Sequence, residues 1–173
     1  RPPQVTIPKN SVDKPIELSD LAIETVIYGN VAVTTYDMTF HNPNGRVMEG
    51  ELEFPLREGQ RVVGYSLDVN GTQRPGVVTE KELARKAYEE KVRQGVDPGI
   101  IEKTAGNNYK TRIYPFMPNG VRRITITYEE TLSMGKAGYE YGLPLSFEKP
   151  VTKFSYEVKI SQLEQAPSFI EAI

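Results

Sequence analysis

The sequence predicts an all-β fold, mainly an antiparallel β-sandwich, with one inserted α-helix. Three observations predict it. Ala32, Thr34, Tyr36, Met38 and Phe40 share one face at period two and Thr35, Asp37 and Thr39 the other, the pattern of a half-buried strand. Turn signals such as Gly29-Asn30, Asn42-Pro43-Asn44-Gly45 and Asn70-Gly71 recur at a spacing that suits a sandwich better than a βαβ sheet. Ten Tyr and six Phe, with many Val, Ile and Thr and no Trp, favour pleated, half-buried surfaces.

The 173 residues suit one ordinary domain, or one domain with an appended segment. A domain of this size buries roughly 70% of its unfolded surface and needs no covalent staple. Without cysteine there is no disulfide, no thiol nucleophile and no zinc site with Cys ligands. The 21 basic and 23 acidic residues leave a formal charge of −2, which is no footprint for nucleic acid. No apolar run reaches the length of a membrane span and no signal peptide is visible; a start at Arg1 suggests an excised or processed product.

Residues 1–17 carry Pro2, Pro3, Pro8 and Pro15 with few apolar anchors and read as a linker or an edge-running N-terminal arm. Leu21 to Tyr28 forms a strand that Gly29-Asn30 turns into the alternating run up to Phe40. In the corner that follows, Pro43 fixes φ, Asn44 tolerates the second position and Gly45 accepts positive φ. Leu52, Phe54 and Leu56 alternate with Glu51 and Glu53 in a third strand, stopped near Pro55. Val63, Tyr65, Leu67 and Val69 make a fourth, and Asn70-Gly71 is the strongest hairpin signal in the chain.

A helix is expected over about 80–94. Thr79-Glu80-Lys81-Glu82 has the form of a capping box, in which a hydroxyl and a carboxylate satisfy free amides reciprocally. Ala84, Ala87, Tyr88 and Val92 recur at helical spacing, Leu83 widens the stripe, and Gly95 supplies a left-handed stop. Lys81, Arg85, Glu89, Glu90 and Arg93 form the wet face. Strands resume at 100–102 and 109–114, and Pro115 to Gly120 makes a turn. Ile124, Ile126 and Tyr128 then alternate with Arg123, Thr125 and Thr127. Tyr139 to Leu145 and Phe154 to Ile160 are the last two strand candidates, the latter with Phe154, Tyr156, Val158 and Ile160 on one face.

In order along the chain stand Tyr36-x-x-x-Phe40-x-Asn42-Pro43, Glu51-x-x-Phe54-Pro55-Leu56, Val62-Val63, the Gly71-to-Gly76 turn, Glu80 with Ala84, Ala87-Tyr88 and Gly95, then Tyr114-Pro115. A strand from Val121 to Leu132, holding Ile124, Ile126, Tyr128 and Leu132, closes the series. This ordered set resembles the VIT (vault protein and inter-alpha-trypsin) domain family, over residues 18–132. Residues 133–173 resemble the β extension that often follows. The resemblance implies an architectural domain with no catalytic, cofactor-binding or metal residues. It also implies a position ahead of a von Willebrand type A domain, whose Asp-x-Ser-x-Ser metal motif is not in this sequence. Some family members are secreted and others intracellular, so the resemblance implies only a lean towards an extracytoplasmic place.

His41, the sole histidine, precedes a turn, and no Gly-x-Ser-x-Gly elbow accompanies it. Glu51 and Glu53 share a strand face and Glu129-Glu130 end another; carboxyls roughly 5 to 9 Å apart serve glycoside hydrolysis. A carboxylate-dependent hydrolase is therefore one alternative, and a glycan-binding sandwich with tyrosine platforms is another. A calcium site near Asp97 and Glu102 lacks EF-hand spacing, and no phosphate loop is present. Lys110-Thr111-Arg112 and Arg122-Arg123 suit a solvated sheet edge, and Asn70-Gly71-Thr72 matches a glycosylation acceptor on an accessible turn. The expected function is a non-catalytic protein-interaction or assembly module of a multidomain protein, with a protein or the downstream domain as partner and without nucleic acid, cofactor or membrane span. Its oligomeric state is left open by the sequence.

Overall fold

The structure, a computed structural model, describes residues 2–7, 12–80, 99–161 and 167–170. In chain order the strands are β1 (Gln4–Thr6), β2 (Glu17–Tyr28), β3 (Val31–His41), β4 (Met48–Pro55), β5 (Arg61–Val69), β6 (Thr72–Pro75) and β7 (Val77–Glu80). They continue with β8 (Ile100–Thr104), β9 (Asn108–Phe116), β10 (Val121–Thr131), β11 (Met134–Gly135), β12 (Gly138–Tyr139) and β13 (Lys153–Ser161). They build a six-stranded sheet in the order β13-β2-β3-β10-β5-β6, a five-stranded sheet β1-β4-β9-β8-β7, and the small pair β11-β12. Most ladders are antiparallel, but β13 runs parallel to β2 and β7 parallel to β8.

The two large sheets face each other across one core. Leu21, Ile23, Tyr36, Met38, Phe40, Tyr65, Ile124, Ile126 and Tyr128 from the six-stranded sheet meet Leu52, Phe54, Ile101, Tyr109, Ile113 and Phe116 from the other. Tyr36 stands edge-on to Phe54 with ring centroids 5.1 Å apart. Each such side chain contributes about 1.5–3 kcal/mol on full burial, so the period-two pattern is the main fold signal in the sequence. Among the described residues no buried side-chain nitrogen or oxygen lacks a hydrogen-bond partner.

Three expectations are corrected, the first at the start of the helix expected over about 80–94, whose residues 81–94 lie outside the described residues. Its supposed cap, Thr79 and Glu80, ends β7, where these residues pair with Glu102 and Lys103. Ala87, Tyr88, Gly95 and Asp97 lie outside the described residues. In β5 it is Val62 that is buried, while Val63 is 44% exposed. A bulge causes the shift: Tyr128 pairs with Val62 and Thr127 with Gly64, so Val63 has no opposite residue and the alternation slips by one. The strand expected over Tyr139 to Leu145 is reduced to β12, beyond which the chain leaves the ladder and packs Leu143, Phe147 and Val151 against the core as a strap.

Glycine decides one corner. Between β6 and β7 the chain crosses from one sheet to the other at Gly76, whose amide donates to the Tyr65 carbonyl at 2.8 Å. A Cβ there would lie 2.3 Å from the Tyr65 ring and 2.5 Å from the Gly99 carbonyl oxygen, so only glycine lets the backbone approach.

Candidate functional site

The residues singled out in the sequence separate into four places. The first is a buried corner. Asn42 is fully buried at the end of β3; its side-chain amide donates to the carbonyls of Arg46 at 2.9 Å, Met117 at 3.0 Å and Phe116 at 3.3 Å. Its Oδ1 accepts from the backbone and side-chain amides of Asn44, both at 3.0 Å. Asn44 in turn exchanges two hydrogen bonds with the Lys14 backbone. With Pro43 setting φ, one side chain ties the 43–47 turn to the β9–β10 turn, and its neighbour ties the N-terminal arm to both. Pro115 lies near the end of β9, ahead of that second turn, behind a cis Tyr114–Pro115 peptide.

A cluster of hydroxyls on the core side of β2 and β3 is the second place. Thr25 and Thr34 are fully buried cross-strand partners, and the Tyr141 hydroxyl closes on them at 3.0 and 2.6 Å. Tyr36 and Tyr128 lie against this cluster, and burial pushes both phenols well above the ordinary phenol range. They stay protonated at neutral pH, so they serve as packed hydrogen-bonding groups and not as phenolate nucleophiles. Phe40, Phe54 and Leu132 are buried core residues, while Pro55 and Leu56 are half-buried beside them.

The third place holds the carboxylates. Leu52 and Phe54 turn into the core, which sends Glu51 and Glu53 to the open face of the five-stranded sheet. Lys110 of β9 stands between them, its Nζ 3.1 Å from Glu51 and 3.0 Å from Glu53; Glu53 first and Glu51 second raise its pKa. Arg112 pairs with Glu49 in the next row. General acid catalysis requires a carboxyl sheltered in a pocket, and these two face water across a flat ladder bridged by an ammonium. Glu129 pairs with Arg61, and Glu130 accepts from Gln60 Nε2 at 2.5 Å. Among the described residues no three His, Asp or Glu side chains gather as metal ligands. Among the described residues the exposed tyrosines Tyr28, Tyr114 and Tyr139 belong to three different sheets and make no shared platform for a sugar.

The fourth place is the β13 side of the molecule. Phe154, Tyr156, Val158 and Ile160 share a face, as the alternation predicts, and their register with Leu21, Ile23, Thr25 and Ile27 turns that face towards the core side. Yet Phe154 remains 47% and Val158 38% exposed. A recess of about 440 Å³ opens there, lined by Leu145, Phe147, Val151 and Phe154. A more polar groove of about 540 Å³ lies between the 57–60 turn and residues 130–142. Arg57 donates to the Gly142 carbonyl across it at 2.9 Å, so polar groups of its walls pair with each other. Sequence reasoning took Lys110 for part of a solvated sheet edge, whereas β9 runs inside its sheet between β4 and β8, and it did not find the roles of Lys110 and Tyr141, which only the partner strands reveal.

The model of the Vault protein inter-alpha-trypsin domain matches residues 18–128. Inter-alpha-trypsin inhibitor heavy chain H3 of Homo sapiens is 28% identical over 162 residues, 90% of this chain and 18% of the relative. The Rattus norvegicus heavy chain H3 is 27% identical over 95% of this chain and 19% of its own length. Protein mono-ADP-ribosyltransferase PARP4 of Mus musculus is 28% identical over 69% of this chain and 6% of its own. The chain thus spans about a fifth of the length of the heavy chains it matches.

Proposed function

This chain belongs to the Vault protein inter-alpha-trypsin domain family, and from that premise we propose that it is a non-catalytic protein-interaction and assembly module of a multidomain protein. One observation carries the reading. Among the described residues many charged groups pair with one another on open sheet faces, while apolar side chains along β13 stay exposed. Contact surface, and not a converging set of reactive groups, is what such an arrangement offers. The partner is a protein or a neighbouring domain of the same chain, and a von Willebrand type A domain following this one is part of the proposal. So is a place outside the cytoplasm. The described residues contain no helix long and apolar enough to cross a membrane.

The test is deletion of residues 1–173 from the protein that carries them, followed by co-precipitation and size analysis. Loss of a complex that the intact protein forms is the expected result. Assembly unchanged by the deletion refutes the reading, as does hydrolytic activity that the isolated domain loses on Glu53→Gln.

A further inference from the structure

We propose that the domain pairs with a second copy of itself through β13, edge to edge and antiparallel, about a two-fold axis at Val158. β13 ends the six-stranded sheet, and among the described residues no strand pairs with its outer side. It is nine residues long, so a row of outward backbone groups is open to strand addition.

The side chains on this edge state which partner fits. On the outer face of the sheet stand Lys153, Ser155, Glu157, Lys159 and Ser161, in that order. A single-sign lysine row keeps an edge strand from self-pairing. Here Glu157 interrupts the row and makes it self-complementary. A two-fold at Val158 sets Glu157 opposite the second copy's Lys159 and Lys159 opposite its Glu157. Two-folds at Glu157 or Lys159 place like charges face to face, and one at Tyr156 opposes Lys153 to Lys159. A two-fold at Ser155 also matches charges, Glu157 to Lys153, but it aligns only residues 153–157 of the strand, against 155–161 for the axis at Val158. The longer ladder is the one that also places Tyr156 against Ile160 and Val158 against its counterpart on the core-side face. Val158 is 38% exposed in the single copy. The result is a continuous sheet across both copies.

This inference rests on the reading of the domain as an assembly module and names one partner for it. Sedimentation equilibrium of the 173-residue chain, with Lys159→Glu, Lys153→Glu and Glu157→Lys/Lys159→Glu variants, tests it. All are surface changes on exposed side chains, and far-ultraviolet circular dichroism checks each fold. A concentration-dependent dimer is expected. Lys159→Glu weakens it about tenfold or more, because two attractions become two repulsions; Lys153→Glu leaves it unchanged, and the charge-swapped double variant restores it. Sensitivity to Lys153→Glu instead of Lys159→Glu, no rescue by the swap, or a chain that stays monomeric to its solubility limit overturns the pairing. Failure of the broader module reading shows separately, in the deletion experiment.

Discussion

Replacing Asn42 by Ala removes a side chain that lies just beyond the end of β3 yet, with Asn44, holds three segments together. The amide loses its donations to Arg46 and Met117 at 2.9 and 3.0 Å and the longer one to Phe116, and Asn44 loses the acceptor of two hydrogen bonds at 3.0 Å. Arg46 lies on the exposed part of the turn, so its carbonyl turns to water. The bond from Asn42 to the Phe116 carbonyl is buried, as are those from Asn44, and water reaches neither readily. Each net hydrogen bond contributes about 1 kcal/mol, and each buried group left without a partner costs about 1–3 kcal/mol. A total of about 3 kcal/mol follows, which for a chain of this length lowers Tm by about 6–12 °C. Urea unfolding followed by circular dichroism measures it, with the m-value checking that the unfolded state is unchanged. A loss below about 1 kcal/mol at constant m would refute the claim that this corner depends on the Asn42 amide.

Gly76→Ala drives a methyl into the Tyr65 ring and the Gly99 carbonyl, and about 1–3 kcal/mol of stability is lost in chemical denaturation. Tyr141→Phe removes the hydroxyl that closes Thr25 and Thr34; a loss of about 1–2 kcal/mol is expected, with local hydrogen exchange rising in β2 and β3. Glu51→Gln sits on an open face in an exposed ion pair, and stability shifts by at most about 0.5 kcal/mol. Alkaline pH destabilises the fold. Burial raises the Tyr36 and Tyr128 pKa values, so the folded state keeps protons that the unfolded chain gives up above about pH 10. Their contribution is complete below that pH and is lost as pH rises through the folded values; denaturation midpoints at rising pH, with phenolate absorbance, should fall, and fall less in Tyr128→Phe.

Alternation alone marks which side of most strands is buried, and turn residues mark several of the corners. Ala32 to Phe40 and Ile124 to Tyr128 are buried on the phase the alternation predicts, because apolar side chains at period two cannot reach a shared core any other way. Asn70 and Gly71 take positive φ of 49° and 80°, as a tight hairpin of these two residues demands. The Asn42-Pro43 corner was equally legible as a turn, though not as the knot joining three segments.

Which strands become neighbours is settled by the packed fold. Alternation encodes a face and not a partner, and backbone hydrogen bonds carry no side-chain signature. Hence the parallel pairing of β13 with β2, brought together from opposite ends of the chain, was invisible, as was the bulge that exchanges Val62 for Val63. The same holds for the carboxylates. Glu51 and Glu53 read alike as a wet ladder or a catalytic pair until β9 sets Lys110 between them, and that placement is a choice of strand neighbour made 57 residues further along the chain from Glu53 to Lys110.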